Sequence, residues 1–550
     1  MARPSCRRAA RASLLPAVVL VACSISPPAT LDDSLHLIRK RALKEHVTWL
    51  AHDDREGRMT GESGYDLSAR YVADQLAAMG VAPAGVGGWF QPVTLRSYRA
   101  LGEASHFLLH TPDGDEALVY RDDFNVRANP AATSATVRAE VVYVGYGVDA
   151  PDYGYSDYEG IDVRGKIVAW YAGSPDSLDG AQRAIFSTSS AKRAAAAAHG
   201  AIGAISLRSR DTEEKWPWDE SKKRIDARAS MTWINAAGDA ADHAPEIRLT
   251  ARVSQPATER LFANAPISYE ASLAAIESGV PASSALNVEV TLAGESQHAS
   301  LTSPNVIGLV RGTDPVLAGE YVVYTAHLDH IGTRAEDGER RVFNGAYDNA
   351  LGVALMLETA RAIAALPPRR SVLFVAVTAE ENGLLGSDYF VNNPTVPRGS
   401  IVANINLDMP LFLYPVADLV AFGSENSTLQ GVAKRAAAAE GFSLAPDPMP
   451  EENLFLRSDQ YSFVRKGIPA VYLVSGFTSL DDDVDGEALY RDHLENHYHK
   501  ASDDLTRPID WDSALRFARA HARMGYVIAT ETERPAWLDG NAFGTRFATP

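Results

Sequence analysis

The sequence predicts an α/β fold: a mostly parallel central sheet with helices on both faces, interrupted by an inserted, β-rich α/β domain. Three observations carry that expectation. First, the 88 residues from Tyr321 to Asp408 hold three short apolar runs, Tyr321-Val-Val-Tyr-Thr-Ala326, Ser371-Val-Leu-Phe-Val-Ala-Val-Thr378 and Ile401-Val-Ala-Asn-Ile-Asn-Leu407. Nearly continuous runs of this length describe strands buried on both faces. Second, stretches of helical period separate them, which is the alternation of βαβ units. Third, each run is followed at once by acids or imidazoles: His327-Leu-Asp-His330 after the first, Glu380-Glu381 after the second and Asp408 after the third, with Asp348 heading the helical stretch between the first two. Open sheets of this kind bind ligands beyond the carboxyl ends of their strands. The sheet itself would therefore gather these donors along one edge, and metal-assisted hydrolysis is the chemistry expected there.

At 550 residues, 46% hydrophobic and 22% charged, the chain has room for two or three domains. Residues 1–22 read as an export signal. Arg3, Arg7, Arg8 and Arg11 precede the apolar stretch Leu14-Leu-Pro-Ala-Val-Val-Leu-Val-Ala22, which falls short of the roughly 20 residues a spanning helix needs. The stretch ends in Leu20-Val-Ala-Cys23, which resembles the lipobox of bacterial lipoproteins. The resemblance implies lipidation of Cys23, and Ser24 in place of an aspartate implies an outer-membrane anchor facing the periplasm. A plain cleaved secretory signal is the alternative. Cleavage would take the formal charge from −18 to −22. Such acidity argues against nucleic acid as a partner and serves solubility. Cys6 and Cys23 are the only cysteines, so a cleaved chain has no intramolecular disulfide and no cysteine zinc site.

Residues 31–119 form the first part of the main domain. Leu35, Leu37, Ile38, Leu43, Val47 and Leu50 recur at helical intervals, and a second amphipathic stretch runs from Gly64 to Met79. Between them, Asp53 to Gly61 reads as a loop. Gly85 to Gly88 reads as a turn, and Phe90 to Arg99 as a strand. Residues 120–293 form the insert. It contains strand candidates at Ala139–Val144 and Gly165–Trp170 and a helix from Ser190 to His199, and it clusters no metal donors. Residues 294–550 complete the main domain, with an alanine-rich helix at Leu429–Glu440, a buried strand at Pro469–Val474, an acidic loop at Leu480–Glu487 and a closing helix from Asp510 to Glu531. Between the acidic loop and that helix lies Asp492-His-Leu-Glu-Asn-His-Tyr-His499.

Two zinc ions roughly 3.5 to 4 Å apart need about five or six ligands, one of them a bridging carboxylate. The candidates are His327, Asp348, Glu381, Asp408 and one histidine among His493, His497 and His499. Neighbouring side chains at a strand end point in different directions. One carboxylate of the Glu380-Glu381 pair can thus bind metal while the other faces the attacking water as general base. Asp329, two residues after His327, can orient the imidazole. Each residue also has an ordinary structural reading: a satisfied core histidine for His327, an N-cap for Asp348, a turn residue for Asp408 and a solvated face for the glutamate pair. No Gly-x-Ser-x-Gly elbow, phosphate-binding loop or His-Glu-x-x-His helix is present. His493 and His497 have helical metal-pair spacing, but Leu494 stands where that motif needs glutamate.

Thr325-Ala-His-Leu-Asp-His330, Asn344-Gly-Ala-Tyr-Asp-Asn-Ala-Leu-Gly352, Ala379-Glu-Glu-Asn-Gly-Leu-Leu-Gly-Ser387, Asn406-Leu-Asp-Met409 and Tyr498-His499 together resemble the motif set of the di-zinc aminopeptidases, the family of aminopeptidase Y and the bacterial secreted leucine aminopeptidases. The resemblance covers Leu31 to Gly80 and Thr302 to Leu538, and implies the zinc-peptidase sandwich of the phosphorylase/hydrolase-like fold. The insert is similar to a protease-associated domain. The family implies His327 and Asp408 on one zinc, Glu381 and His499 on the other, and Asp348 bridging through a residue joined to Asn349 by a cis peptide. It implies Glu380 as general base, Asp329 orienting His327, and Tyr498 stabilising the oxyanion. Arg457 is a substrate-contact candidate with a plain salt bridge as its alternative. Leu351, Gln460 and Lys500-Ala501 depart from the family pattern without removing a ligand. The expectation is a monomeric, lipid-anchored periplasmic aminopeptidase acting on peptides. A carboxypeptidase of the glutamate-carboxypeptidase type and a non-catalytic peptidase-like binding protein are the alternatives.

Overall fold

The computed structural model describes the chain apart from residues 2–27, 113, 224–228, 242–243, 281, 337 and 549–550. The expected export signal beyond Met1, with Cys23, lies outside the described residues. Helix α1 (Lys40–Leu50) buries Leu43, His46, Val47 and Leu50, and α2 (Ser63–Ala78) buries Tyr65, Ala69, Val72 and Leu76. These are the three- and four-residue intervals that place side chains on one helical face. The turn between them, Asp53–Arg58, passes through the left-handed region at Glu56 and Gly57. A Cβ on Gly57 would lie 2.3 Å from the carbonyl oxygen of Gly332. Only glycine lets that loop approach so closely.

Strand β1 (Phe90–Ala100) pairs antiparallel with the second half of the 27-residue strand β2 (Ser284–Val310), from Ala100 opposite Ser296 to Phe90 opposite Val306. The first half of β2 belongs to a second sheet. There it pairs with Ser134–Tyr143 and, from Glu289 to Ala293, with His106–His110. That sheet continues in parallel through Ile167–Tyr171, Gly203–Leu207 and Leu249–Val253. Phe107, Val137, Ile167, Ile205, Leu249 and Val290 help form its own core. The strand His106–Thr111 thus sits in this sheet although it precedes residue 120. Long-range pairing, which local composition does not register, decides where it goes.

The main sheet adds β3 (Tyr321–His327), β4 (Ser371–Val377), β5 (Ile401–Asn406), β6 (Asp418–Phe422) and β7 (Ala470–Ser475). Their order is β2-β4-β3-β5-β7-β6. The four central strands are parallel, and β2 and β6 run antiparallel at the flanks. Alternate side chains pack on opposite faces. Val322, Tyr324, Phe374 and Ile405 meet α1, α2 and the helices α3 (Gly352–Ala365), α4 (Leu429–Ala439) and α5 (Trp511–Thr530). Val323, Leu373, Val375 and Ile401 meet Phe390, Val391 and Phe463 on the other face. Burial on both faces is why these strands read as unbroken apolar runs. Asp510 caps α5 by accepting the Ser513 amide at 2.7 Å, so the closing helix starts where expected. Among the described residues no helix is long and apolar enough to cross a membrane.

One buried cation ties the first helices to the edge where the donors gather. Arg58 is 1% exposed and donates to the carbonyls of Leu50, Leu328, Asn344 and Gly345 at 2.6 to 2.9 Å. It therefore holds both the loop after β3 and the loop before Asp348. Arg58→Met strips four buried carbonyls of a charged donor and should lower the stability by about 3 kcal/mol or more. Urea unfolding of the purified variant checks this. A change below about 0.5 kcal/mol would show that the arginine ties nothing.

Candidate metal centre

His327 is the last residue of β3, Glu380 and Glu381 follow β4, and Asp408 follows β5. The parallel order of these strands brings their carboxyl ends side by side. His327 Nε2 lies 3.1 Å from Asp348 Oδ1 and 3.1 Å from Asp408 Oδ1. His499 Nε2 lies 3.1 Å from Asp348 Oδ2 and 3.0 Å from Glu381 Oε2. The five side chains expected as ligands converge, and Asp348 turns one oxygen toward each histidine. Of the three histidines open at the sequence level, His499 is the one that reaches this cluster. His493 is buried against the Tyr347 ring, 5.1 Å between centroids, and His497 Nδ1 meets Ser502 at 2.8 Å.

The donors fit divalent cations. Ligands about 2.0 to 2.2 Å from a shared tetrahedral ion stand roughly 3.3 Å apart, close to the nitrogen–oxygen distances here. The residues form two clusters of donor atoms, His327 with Asp348 and Asp408, and His330 with Asp348 and Glu381. The charge balance favours a cation as well. Asp329, Asp348, Glu381, Asp408, Asp459 and Asp503 are all buried carboxylates, gathered around the imidazoles of His327, His330 and His499 and near the Arg58 guanidinium. Burial, with like charge adding to it, pushes Asp329 and Asp503 up to about 6 and Asp459 to about 7. Excess buried negative charge of this kind is relieved by protons or by metal.

Backbone and side-chain contacts fix the donors. His327 Nδ1 donates to the carbonyl of Asp329 at 3.1 Å. A carbonyl can only accept, so the proton sits on Nδ1 and Nε2 presents its lone pair to the cluster. Asp329 thus contacts the His327 ring through its backbone carbonyl. The carboxylate instead accepts the amides of Glu380 at 3.1 Å and Glu381 at 3.3 Å and the hydroxyl of Thr60 at 3.2 Å. Asp503 accepts the amides of Tyr347 and Asp348, both at 3.0 Å. Ser458 donates to Asp408 Oδ2 at 2.6 Å, and Thr325, Asn406 and Ser458 form the hydrogen-bond chain behind it. The Asp348–Asn349 peptide is cis.

Burial pushes the Glu380 carboxyl well above its ordinary range, and Asp408 and Asp459 add to the shift. Tyr498 stacks on His499 with ring centroids 3.9 Å apart. Arg457 forms a surface ion pair with Glu452 at 2.9 Å and is 49% exposed.

Sequence reasoning missed four residues of this site. His330 Nδ1 contacts Glu381 Oε1 at 2.7 Å, and its place three residues after His327 was a signal left unused. Ser458, next to Arg457 in the chain, is a second. Asp503 and Arg58 bear on the site through backbone groups, which no motif spacing records.

Residues 305–524 match the model of peptidase family M28. That span contains Glu380 and all the donors named above. The chain is 30% identical over 285 residues to a probable leucine aminopeptidase 2 of Aspergillus fumigatus, covering 50% of this chain and 53% of that protein. It is 34% identical over 111 residues to aminopeptidase YwaD of Bacillus subtilis, covering 20% and 22%. The chain thus spans about half the length of the first of these relatives. A solved aminopeptidase from Aneurinibacillus sp. strain AM-1 has a similar fold, with a TM-score of 0.51 at 18% identity over 92% of this chain and 97% of that one.

Ser458→Ala frees one oxygen of Asp408 from its hydrogen bond and should weaken zinc binding by about 10- to 100-fold. Competition against a chromophoric chelator measures it. Affinity equal to that of the parent protein would separate Asp408 from metal binding.

Proposed function

We propose that the chain is a zinc-dependent exopeptidase that removes N-terminal residues from peptides. The observation that carries this reading is the sharing of Asp348. Its two oxygens face two separate histidines 3.1 Å away, each with a further carboxylate at hand. One side chain placed in this way suits a bridging ligand between two ions. In this reading His327 and Asp408 hold one zinc and Glu381 and His499 the other, with His330 close to Glu381. The ions would supply Lewis acidity toward the scissile carbonyl and the attacking water.

The chain's own groups supply the rest. Glu380, whose carboxyl is pushed up by burial, accepts a proton from the attacking water and returns it to the leaving amine. Tyr498, beside His499, donates to the oxygen on which negative charge develops. Asp329 holds the Glu380 and Glu381 amides, so the base and its neighbouring ligand keep a fixed spacing. The segment preceding the main sheet's donors acts as a protease-associated type of domain that narrows the approach. Export, a lipid anchor at Cys23, a periplasmic location and a monomeric state belong to the same reading, supported by residues 1–24 of the sequence. A carboxypeptidase would need unpaired cations beside the scissile bond. Arg457, the cation expected there, is engaged by Glu452.

Glu380→Gln should retain the parent protein's zinc content and lose turnover of aminoacyl anilides by about 10²- to 10⁴-fold. Metal analysis and initial rates on one preparation check both halves. Retained turnover would remove the base assignment. Cleavage of N-blocked but not free-amine peptides would replace the aminopeptidase reading by the carboxypeptidase one.

A further inference from the structure

Two cavities run together where the second sheet faces the main domain. The first, about 370 Å³, begins at Asn382 to Leu385, directly after Glu381, and is bounded on its far side by Tyr98, Arg127 and Arg193. The second, about 520 Å³, shares Tyr98, Arg127, Ala128, Arg193 and Thr250 with it and extends to Arg99, Arg208 and Arg252. Five arginines therefore line the second cavity in a chain of formal charge −18, with no aspartate or glutamate among its described lining residues, while Asp388 lines the first.

Among the described residues neither Arg127 nor Arg252 has an acidic partner. Arg252, although exposed as a residue, is held below its ordinary range first by the desolvation of its head in the packed chamber wall and then by the charges of Arg127 and Arg208. Arg208 is 8% exposed. Its Nε pairs with Glu213 and its guanidinium lies 5.4 Å from the Trp218 ring, while Nη2 is buried without a hydrogen-bond partner. A buried N–H donor left open beside mutually repelling cations is costly unless an anion completes it. Planar guanidinium groups match carboxylates in bidentate fashion.

We propose that this chamber is a carboxylate subsite, which holds the C-terminal carboxylate or an acidic side chain of a peptide whose N-terminus lies at the metal centre. The proposal rests on the aminopeptidase reading. The first cavity is lined by Asn382 to Leu385, the turn that follows Glu381, and the arginines lie across it from that turn, so in this proposal the recognised charge sits several residues downstream of the cleaved bond and not beside it, as a carboxypeptidase would require. Peptides reach the chamber along the first cavity, and the chamber rewards those whose length delivers an anion to Arg127, Arg208 and Arg252.

The test uses the zinc-loaded full chain and a series of free-amine peptides from dipeptide to hexapeptide, each as free acid and as C-terminal amide. A matched set carries aspartate or asparagine at each downstream position. An aminoacyl anilide in the same assay reports N-terminal hydrolysis itself. At one length or position the anionic member should show kcat/KM about tenfold or more above its neutral counterpart. In Arg127→Gln/Arg252→Gln that ratio should fall toward one. Preference between the free-acid and aspartate series identifies which carboxylate is bound. Equal rates for anionic and neutral members at every length, with the anilide still hydrolysed, would overturn the subsite and leave the aminopeptidase reading standing. Loss of anilide hydrolysis alongside cleavage of N-blocked peptides would remove the aminopeptidase reading itself.

Discussion

The position of Asp348 between two imidazoles is the constraint on which the rest of the structure depends. A single carboxylate meets His327 through one oxygen and His499 through the other, each at 3.1 Å. It does so inside a cluster whose carboxylates outnumber its cationic groups. Such a cluster is tolerable only if cations or protons balance it. Burial, with neighbouring carboxylates adding to it, pushes Glu380, Asp329, Asp459 and Asp503 above their ordinary range.

Much of the surrounding structure serves to hold this arrangement. Strands β3, β4 and β5 deliver His327, Glu381 and Asp408 to one edge, while Asp503 fixes the backbone of Asp348 from a loop more than 150 residues away in sequence. Ser458 aligns Asp408, and Arg58 clamps the two loops that flank His327 and Asp348. Asp329 has two tasks on two different atoms: its carbonyl sets the tautomer of His327, and its carboxylate tethers the glutamate pair. Donors placed by rigid strand ends and oriented by supporting hydrogen bonds are what a catalytic metal centre requires.

The central sheet was legible because strands buried on both faces leave an unbroken apolar signature, and β3, β4, β5 and β7 all have one. Four of the five donors were legible because each ends or follows such a strand or heads a helix, whereas His499, in the turn after the helix Gly486–Asn496, was singled out among three histidines only by the family resemblance. Strand β6 was not. It is five residues long and opens with Asp418, a polar residue that accepts the amide and hydroxyl of Thr478. The extent of β2 was hidden for a different reason. Its first half alternates polar and apolar residues as part of the second sheet, while its second half continues into the main one. No local pattern records that a strand changes partners. The contacts of Arg58, Asp503 and the Asp329 carbonyl were illegible because each involves backbone atoms, which carry no residue-specific signal.

The second sheet gains a physical role from its arginines. In the proposed subsite those arginines lie across the first cavity from the turn that follows Glu381 and complement a downstream anion of the peptide. That proposal has meaning only if the cluster around Asp348 holds metal. The most direct test of the central claim is anomalous diffraction at the zinc edge from crystals of the zinc-loaded protein. Two peaks, one on each side of the Asp348 carboxylate, are the result predicted. A single peak, or none within reach of His327 and His499, would contradict the account.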